Sequence, residues 1–142
     1  MVKQISVFLQ NESGKIAAIT QALYENNVDI RALSIADTTD FGILRMLVND
    51  VKLAQAALAK QNCIVSVNEV VVVNVPDVPG GLANVLDLLA KENIDIEYMY
   101  SLIDRGADGA YMVFRVSDED RLRTLLDDNQ LFCVTAETLG LK

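Results

Sequence analysis

Asn11-Glu12-Ser13-Gly14-Lys15-Ile16-Ala17, running on to Asn27-Val28-Asp29-Ile30, decides how this chain is built. It returns as Asp77-Val78-Pro79-Gly80-Gly81-Leu82-Ala83, running on to Asn93-Ile94-Asp95-Ile96. Gly14 answers to Gly80 and Ile30 to Ile96, an offset of 66 residues (80 − 14). Further along, Val48, Asp50, Leu58 and Glu69 answer to Val116, Asp118, Leu126 and Glu137 at an offset of 68 (116 − 48), which places a two-residue insertion in one connecting loop. A chain made of two copies of one unit carries two equivalent surfaces and, by expectation, two equivalent sites.

The pattern inside the unit sets its fold. Lys3 to Leu9 alternates with a period of two, as a half-buried strand does. Gly14 to Glu25 follows with Ile16, Ile19 and Leu23 at helical spacing, and Asn26-Asn27 supplies residues that tolerate the left-handed backbone ending a helix. Asp29 to Ala36 reads as a second strand, Asp37-Thr38-Thr39-Asp40 as a turn, and Gly42 to Val48 as a third strand. Asp50 opens an Ala- and Leu-rich helix to about Lys60, and Cys63 to Val67 is a fourth strand. The second copy repeats this order from Val70 to Leu139. The expectation is an α+β fold of two tandem ferredoxin-like βαββαβ units, 1–68 and 69–142, with antiparallel sheets and helices on one face. Val65 to Val75 is almost continuously strand-forming, so the boundary is a strand junction near Asn68-Glu69.

One sheet face carries a further message. If Leu44, Met46 and Val48 point to the helices, then Ile43, Arg45 and Leu47 point away, with Tyr111, Val113 and Arg115 equivalent to them and Phe8 alongside. That face is too apolar to be left bare, and its expected cover is a homodimer through the outer sheet face.

Composition excludes several functions. A formal net charge of −8 argues against nucleic acid and anionic membrane as partners, since phosphate neutralisation needs clustered Lys and Arg. No apolar run approaches the length that spans a bilayer, and the N-terminal residues show no signal-peptide pattern, so the expected location is cytoplasmic. With no histidine, the common zinc arrangements and the Ser-His-Asp and Cys-His catalytic sets are absent. Cys63 and Cys133 both fall at apolar strand positions and read as small buried hydrophobes. No metal and no cofactor is expected.

The repeated loop after the first strand is the leading site candidate. In each copy an Asn or Asp stands three residues before a glycine at the beginning of a helix. Free N–H groups in a helix's first turn suit a carboxylate, and the side chain of Asn11 or Asp77 suits an ammonium group. Together they match a zwitterionic amino acid. Helix capping by Ser13 or Asp77, with Pro79 in a first turn, accounts for the same residues structurally. Asp29 and Asp95 form a second recurrent pair, since an acidic residue is unfavourable at a strand entry unless something contacts or solvates it. Tyr98, Tyr100 and Tyr111 read as packing residues that also suit the wall of a pocket.

With this element order and these motifs, the chain resembles a tandem pair of ACT domains, the small amino-acid-sensing modules attached to many metabolic enzymes. The resemblance runs over essentially the whole chain. It rests on Asp77-Val78-Pro79-Gly80 with Leu82 and Asn93-Ile94-Asp95-Ile96, and more loosely on Asn11-Glu12-Ser13-Gly14 with Ile16 and Val28-Asp29-Ile30, where Ser13 replaces the usual proline. It implies one eight-stranded sheet with a free amino acid bound at the seam between units. One site uses Asn11, Ser13 and Gly14 with Asp95, and its counterpart uses Asp77, Pro79 and Gly80 with Asp29. Asp at the strand entries, where the family often has Asn, suits an ammonium or cationic group. The functional expectation is a non-catalytic regulatory protein that senses an amino acid and is read by a metabolic enzyme. A structural oligomerisation module and a small ferredoxin-like enzyme are the alternatives.

Overall fold

A computed structural model describes residues 1–10, 12–37, 41–103 and 109–142. Asn11 and the Thr38-Thr39-Asp40 part of the expected turn lie outside the described residues. The fold is α+β and consists of two βαββαβ units. In chain order the elements are β1 (Val2–Gln10), α1 (Lys15–Glu25), β2 (Ile30–Asp37), β3 (Phe41–Val48), α2 (Val51–Ala59) and β4 (Ile64–Val75). Then come α3 (Gly81–Lys91), β5 (Ile96–Ser101), β6 (Ala110–Val116), α4 (Glu119–Asp128) and β7 (Cys133–Val134).

Compact packing groups Lys3–Glu69 with Ala136–Lys142, and Val70–Thr135 with Met1–Val2. The division falls inside β4, which runs unbroken through the expected junction. Residues 136–142, expected in the second repeat, pack with the first. In the first unit the strand order is β2-β3-β1-β4, with β1 and β2 antiparallel to β3. In the second, β4 pairs antiparallel with β6, β6 with β5, and the two-residue β7 with β4 at Val72 and Val73. The fourth strand of the second repeat is therefore far shorter than its counterpart.

The register places Val7 and Ile35 opposite Leu44, and Ile5 and Leu33 opposite Met46. Leu44, Met46 and Val48 pack with Ile19 and Leu23 of α1 and Ala54 and Leu58 of α2. The second core repeats this with Val71, Val73, Phe114 and Val116 against Val85, Leu89, Leu122 and Leu126. Each fully buried Leu contributes roughly 1.5–3 kcal/mol relative to exposure. Leu47 and Val113, expected to face away from the helices, are outside both cores yet 0% exposed within the single chain. The argument that a second copy must cover this face thus loses those two residues. Phe8, 42% exposed, and the half-buried Ile43 and Tyr111 remain of it.

Backbone detail follows the repeat. All four helices are followed by a non-glycine residue with positive φ: Asn27 at 60°, Asn62 at 56°, Asn93 at 54° and Gln130 at 59°. In each case the next N–H returns to the helix: Val28 to Leu23 O, Cys63 to Leu58 O, Ile94 to Leu89 O and Leu131 to Leu126 O. This is the left-handed helix stop that the Asn residues allow. Register shifts fall at Ile30/Ala32 and at Ile96/Tyr98, again equivalent positions.

Candidate functional site

The two repeated loops end on glycines held in the left-handed region, Gly14 at φ 81° and Gly80 at φ 84°. A Cβ at either position meets no atom within 4 Å, so backbone conformation and not space requires the glycine. Gly81 is different: a Cβ there stands 2.0 Å from the Pro76 carbonyl oxygen. The second loop is thus packed against its own backbone at a position where the first loop carries Lys15.

Gly14 and Gly80 are the N-cap residues of α1 and α3, and among the described residues no side chain caps either helix. The capping explanation for Ser13 and Asp77 is therefore corrected. A side chain caps only from a residue in the N-cap position with extended backbone. Here that position is a left-handed glycine, and Ser13 and Asp77 lie upstream in exposed turns. Lys15 N–H donates to Glu12 O at 3.3 Å and Gly81 N–H to Val78 O at 3.0 Å, while Ala18 and Asn84 already bond to Gly14 O and Gly80 O. The N–H groups of Ile16 and Ala17, and of Leu82 and Ala83, have no acceptor among the described residues. The other two helices carry side-chain caps, although Glu119 and Asp120 N–H of α4 also have no acceptor among the described residues. Asp50 Oδ1 accepts from Lys52 and Leu53 N–H at 3.1 and 3.2 Å, and Asp118 Oδ1 from Arg121 N–H at 3.1 Å.

Open grooves adjoin both loops. One of about 290 Å³ is lined by Leu9, Gln10, Glu12, Ser13, Lys15, Ile16, Ile35 and Gly42. One of about 420 Å³ beside Pro76, Val78, Pro79 and Gly81 is more apolar, with Val85, Leu88 and Leu131 as walls. Proline in place of Ser13 and a Gly-Gly pair thus give the second loop a different lining from the first.

At the strand entries, Asp29 and Asp95 are exposed and their backbones are pinned in the same way. Asp29 N–H donates to Asn49 Oδ1 at 2.8 Å and Asp95 N–H to Ser117 Oγ at 3.2 Å. In return Asn49 and Ser117 N–H donate to Asp29 O and Asp95 O, each at 3.0 Å. Asn49 and Ser117 were not singled out from the sequence. The legible signal was their place immediately before the capping Asp50 and Asp118 at the same repeat offset. The carboxylates then diverge. Asp29 Oδ2 lies 3.3 Å from Arg31 Nη1, whereas the residue equivalent to Arg31 is Glu97, engaged by Arg115 at 3.3 Å. The Asp95 carboxylate has no partner among the described residues. A cleft of about 490 Å³ lined by Thr20, Tyr24, Asn27, Val28, Asp29 and Ile30 opens at the first entry.

Loop and strand entry of one repeat stand at opposite ends of an 11-residue helix, α1 or α3. Such a helix is about 16 Å long. Ser13 and Gly14 therefore do not meet Asp29, nor do Asp77, Pro79 and Gly80 meet Asp95, around one small ligand within a repeat. Elsewhere, Tyr98 and Tyr100 stack on each other with centroids 6.4 Å apart. Both cysteines are half-buried and free, and burial pushes the Cys133 thiol up from its ordinary value, away from thiolate reactivity. Among the described residues no group of His, Cys, Asp and Glu side chains is placed to hold a metal ion. No helix among them is long and apolar enough to cross a membrane.

Two ferredoxin-like units in tandem, each opening its first helix on a left-handed glycine, define a duplicated α+β module. The ACT domain pair profile matches residues 1–141, and the chain belongs to that family. A solved structure of a protein from Bacteroides thetaiotaomicron is similar at 38% identity with a TM-score of 0.88, covering 98% of this chain and 95% of that one. The regulatory subunit of aspartate kinase from Thermus thermophilus, in its ligand-free form, shares the fold at 13% identity and a TM-score of 0.62, with 91% of each chain covered. The structure of aspartokinase alpha and beta subunits does so at 15% identity and a TM-score of 0.59, over 89% of this chain and 90% of that one. Comparison with curated protein sequences returns no match.

Proposed function

We propose that this ACT pair is a non-catalytic regulatory protein that binds a free amino acid, and that a metabolic enzyme reads the bound state. The observation that carries this reading is the contrast among the four helices. Asp50 and Asp118 cap α2 and α4 with their own carboxylates, whereas α1 and α3 begin on left-handed glycines with no side-chain cap among the described residues and leave first-turn N–H groups open. Donors of this kind, aided by the helix dipole, suit a ligand carboxylate. An exposed carboxylate such as Asp95 suits its ammonium group.

In this reading one site joins Asn11, Ser13 and Gly14 to Asp95, and the other joins Asp77, Pro79 and Gly80 to Asp29. The length of α1 and α3 supports drawing loop and entry from different repeats, as the family resemblance implies. The two sites are unequal, because Arg31 already engages Asp29 while Asp95 has no side-chain partner among the described residues. Regulation further requires that the ligand favour one arrangement of the protein over another.

A thermal-shift series with each of the twenty amino acids at about 10 mM tests the reading, since a ligand at 100 times its Kd stabilises the folded state by about 2.7 kcal/mol. One amino acid, or a few chemically related ones, should raise Tm. A flat response to all of them refutes the sensor and leaves an oligomerisation module. Asp95→Ala should weaken binding at the Ser13–Gly14 loop more than at the Asp77–Gly80 loop, as followed by amide chemical shifts. The reverse order refutes the cross-repeat pairing.

A further inference from the structure

Asn49 lies just past β3 and is bonded on two sides. Toward the strand entry, its Oδ1 accepts from Asp29 N–H at 2.8 Å and its own N–H donates to Asp29 O at 3.0 Å. Toward the last residues of the chain, its carbonyl accepts from Lys142 N–H at 2.8 Å, and Val51 N–H, the first of α2, donates to Lys142 O at 3.1 Å. Lys142 is delivered there by a turn. Leu139 and Leu141 N–H both donate to Ala136 O, at 3.1 and 2.9 Å, Gly140 takes a left-handed φ of 70°, and Leu139 is buried. Ser117 reproduces only the first half of this arrangement. Among the described residues nothing donates to Ser117 O, and Glu119 N–H, equivalent to that of Val51, has no acceptor.

We infer that residues 136–142 form a strap that holds Asn49 as the positioning residue for the Asp29 strand entry. The two repeat-related entries therefore differ in rigidity: Asp29 is clamped through Asn49 from a third segment of the chain, and among the described residues Asp95 is held by Ser117 alone. A duplicated sequence thus yields one preorganised entry and one adaptable entry. The consequence for ligand binding rests on the amino-acid reading above, whereas the strap does not.

The test is residue-resolved amide hydrogen exchange on the full chain. Gly140→Val forces a β-branched residue into a left-handed φ at a position where the added Cβ touches nothing, so it strains the turn and spares the core. Leu139→Asp expels the same segment by another route. In both, the Val51 and Asp29 amides should exchange at least about tenfold faster, with Asp95 unchanged. Asn49→Ala should speed Asp29 alone and leave Val51 protected, and Asn49→Ser, which copies Ser117, should restore Asp29. Acceleration of Val51 with Asp29 unmoved overturns the coupling, and no acceleration of Val51 in either strap variant overturns the strap. A mixture of the twenty amino acids at about 1 mM each should then slow exchange at Asp29 in the parent, and less so in Gly140→Val. If the parent does not respond, the amino-acid reading fails, and the strap is decided by the ligand-free rates.

Discussion

The equivalent positions Lys15 and Gly81 should respond to alanine with opposite sign. Both are the first residue of a helix that follows a left-handed glycine, and both N–H groups return to the carbonyl three residues earlier. At Gly81 a new Cβ lies 2.0 Å from Pro76 O and 3.0 Å from Pro76 C, both backbone atoms, so the loop and not a flexible side chain has to give way. Overpacking of this kind costs about 1–3 kcal/mol, and contact with backbone places it at the upper end. Alanine recovers up to about 1 kcal/mol of helix propensity over glycine, which leaves a net loss of about 2 kcal/mol. For a chain of this length that is a fall in Tm of roughly 6 °C. Lys15 already carries a Cβ and is half-exposed, so Lys15→Ala should stay within about 0.5 kcal/mol of the parent. Chemical denaturation of the two variants side by side measures both quantities. A Gly81→Ala protein as stable as the parent refutes the claim that loop packing, and not sequence habit, dictates the glycine pair.

Gly14→Ala should cost about 1–2 kcal/mol, because φ 81° is left-handed and the open space around the Cβ offers no compensating contact. A change below about 0.3 kcal/mol in denaturant unfolding contradicts it. Asp50→Ala should cost about 1 kcal/mol through loss of the acceptor for Lys52 and Leu53 N–H, whereas Ser13→Ala and Asp77→Ala should be close to neutral in stability. A large loss at Ser13 or Asp77 shows that those side chains cap after all. Leu126→Ala, at a residue with no exposure, should cost about 3 kcal/mol by leaving a cavity under α4, measured in the same way.

Much of this architecture is legible in the amino-acid sequence. Alternation and helical spacing gave the βαββαβ order, because side-chain period follows backbone geometry directly. Asn27 and Asn93 marked helix ends for the same local reason, and both take the left-handed φ. The strand-forming character of Val65 to Val75 was also readable, whereas the junction expected near Asn68-Glu69 lies inside one continuous strand, β4. The loops were misjudged in one respect. Ser13 and Asp77 have the composition of caps, but capping depends on the φ of a neighbour, and a glycine's φ is not written in its name.

The sequence by itself determined the duplication, the order of elements and the residues that recur, since each follows from short-range pattern or from direct comparison of one half with the other. Only the tertiary structure decided how the two halves differ. Among the described residues it left the donors of α1 and α3 without side-chain caps, paired Arg31 with Asp29 but gave the Asp95 carboxylate no partner, and brought residues 136–142 back to Asn49. The last depends on contact across the 93 positions (142 − 49) separating Asn49 from Lys142, and the first two on backbone and side-chain conformations that a residue's name does not record.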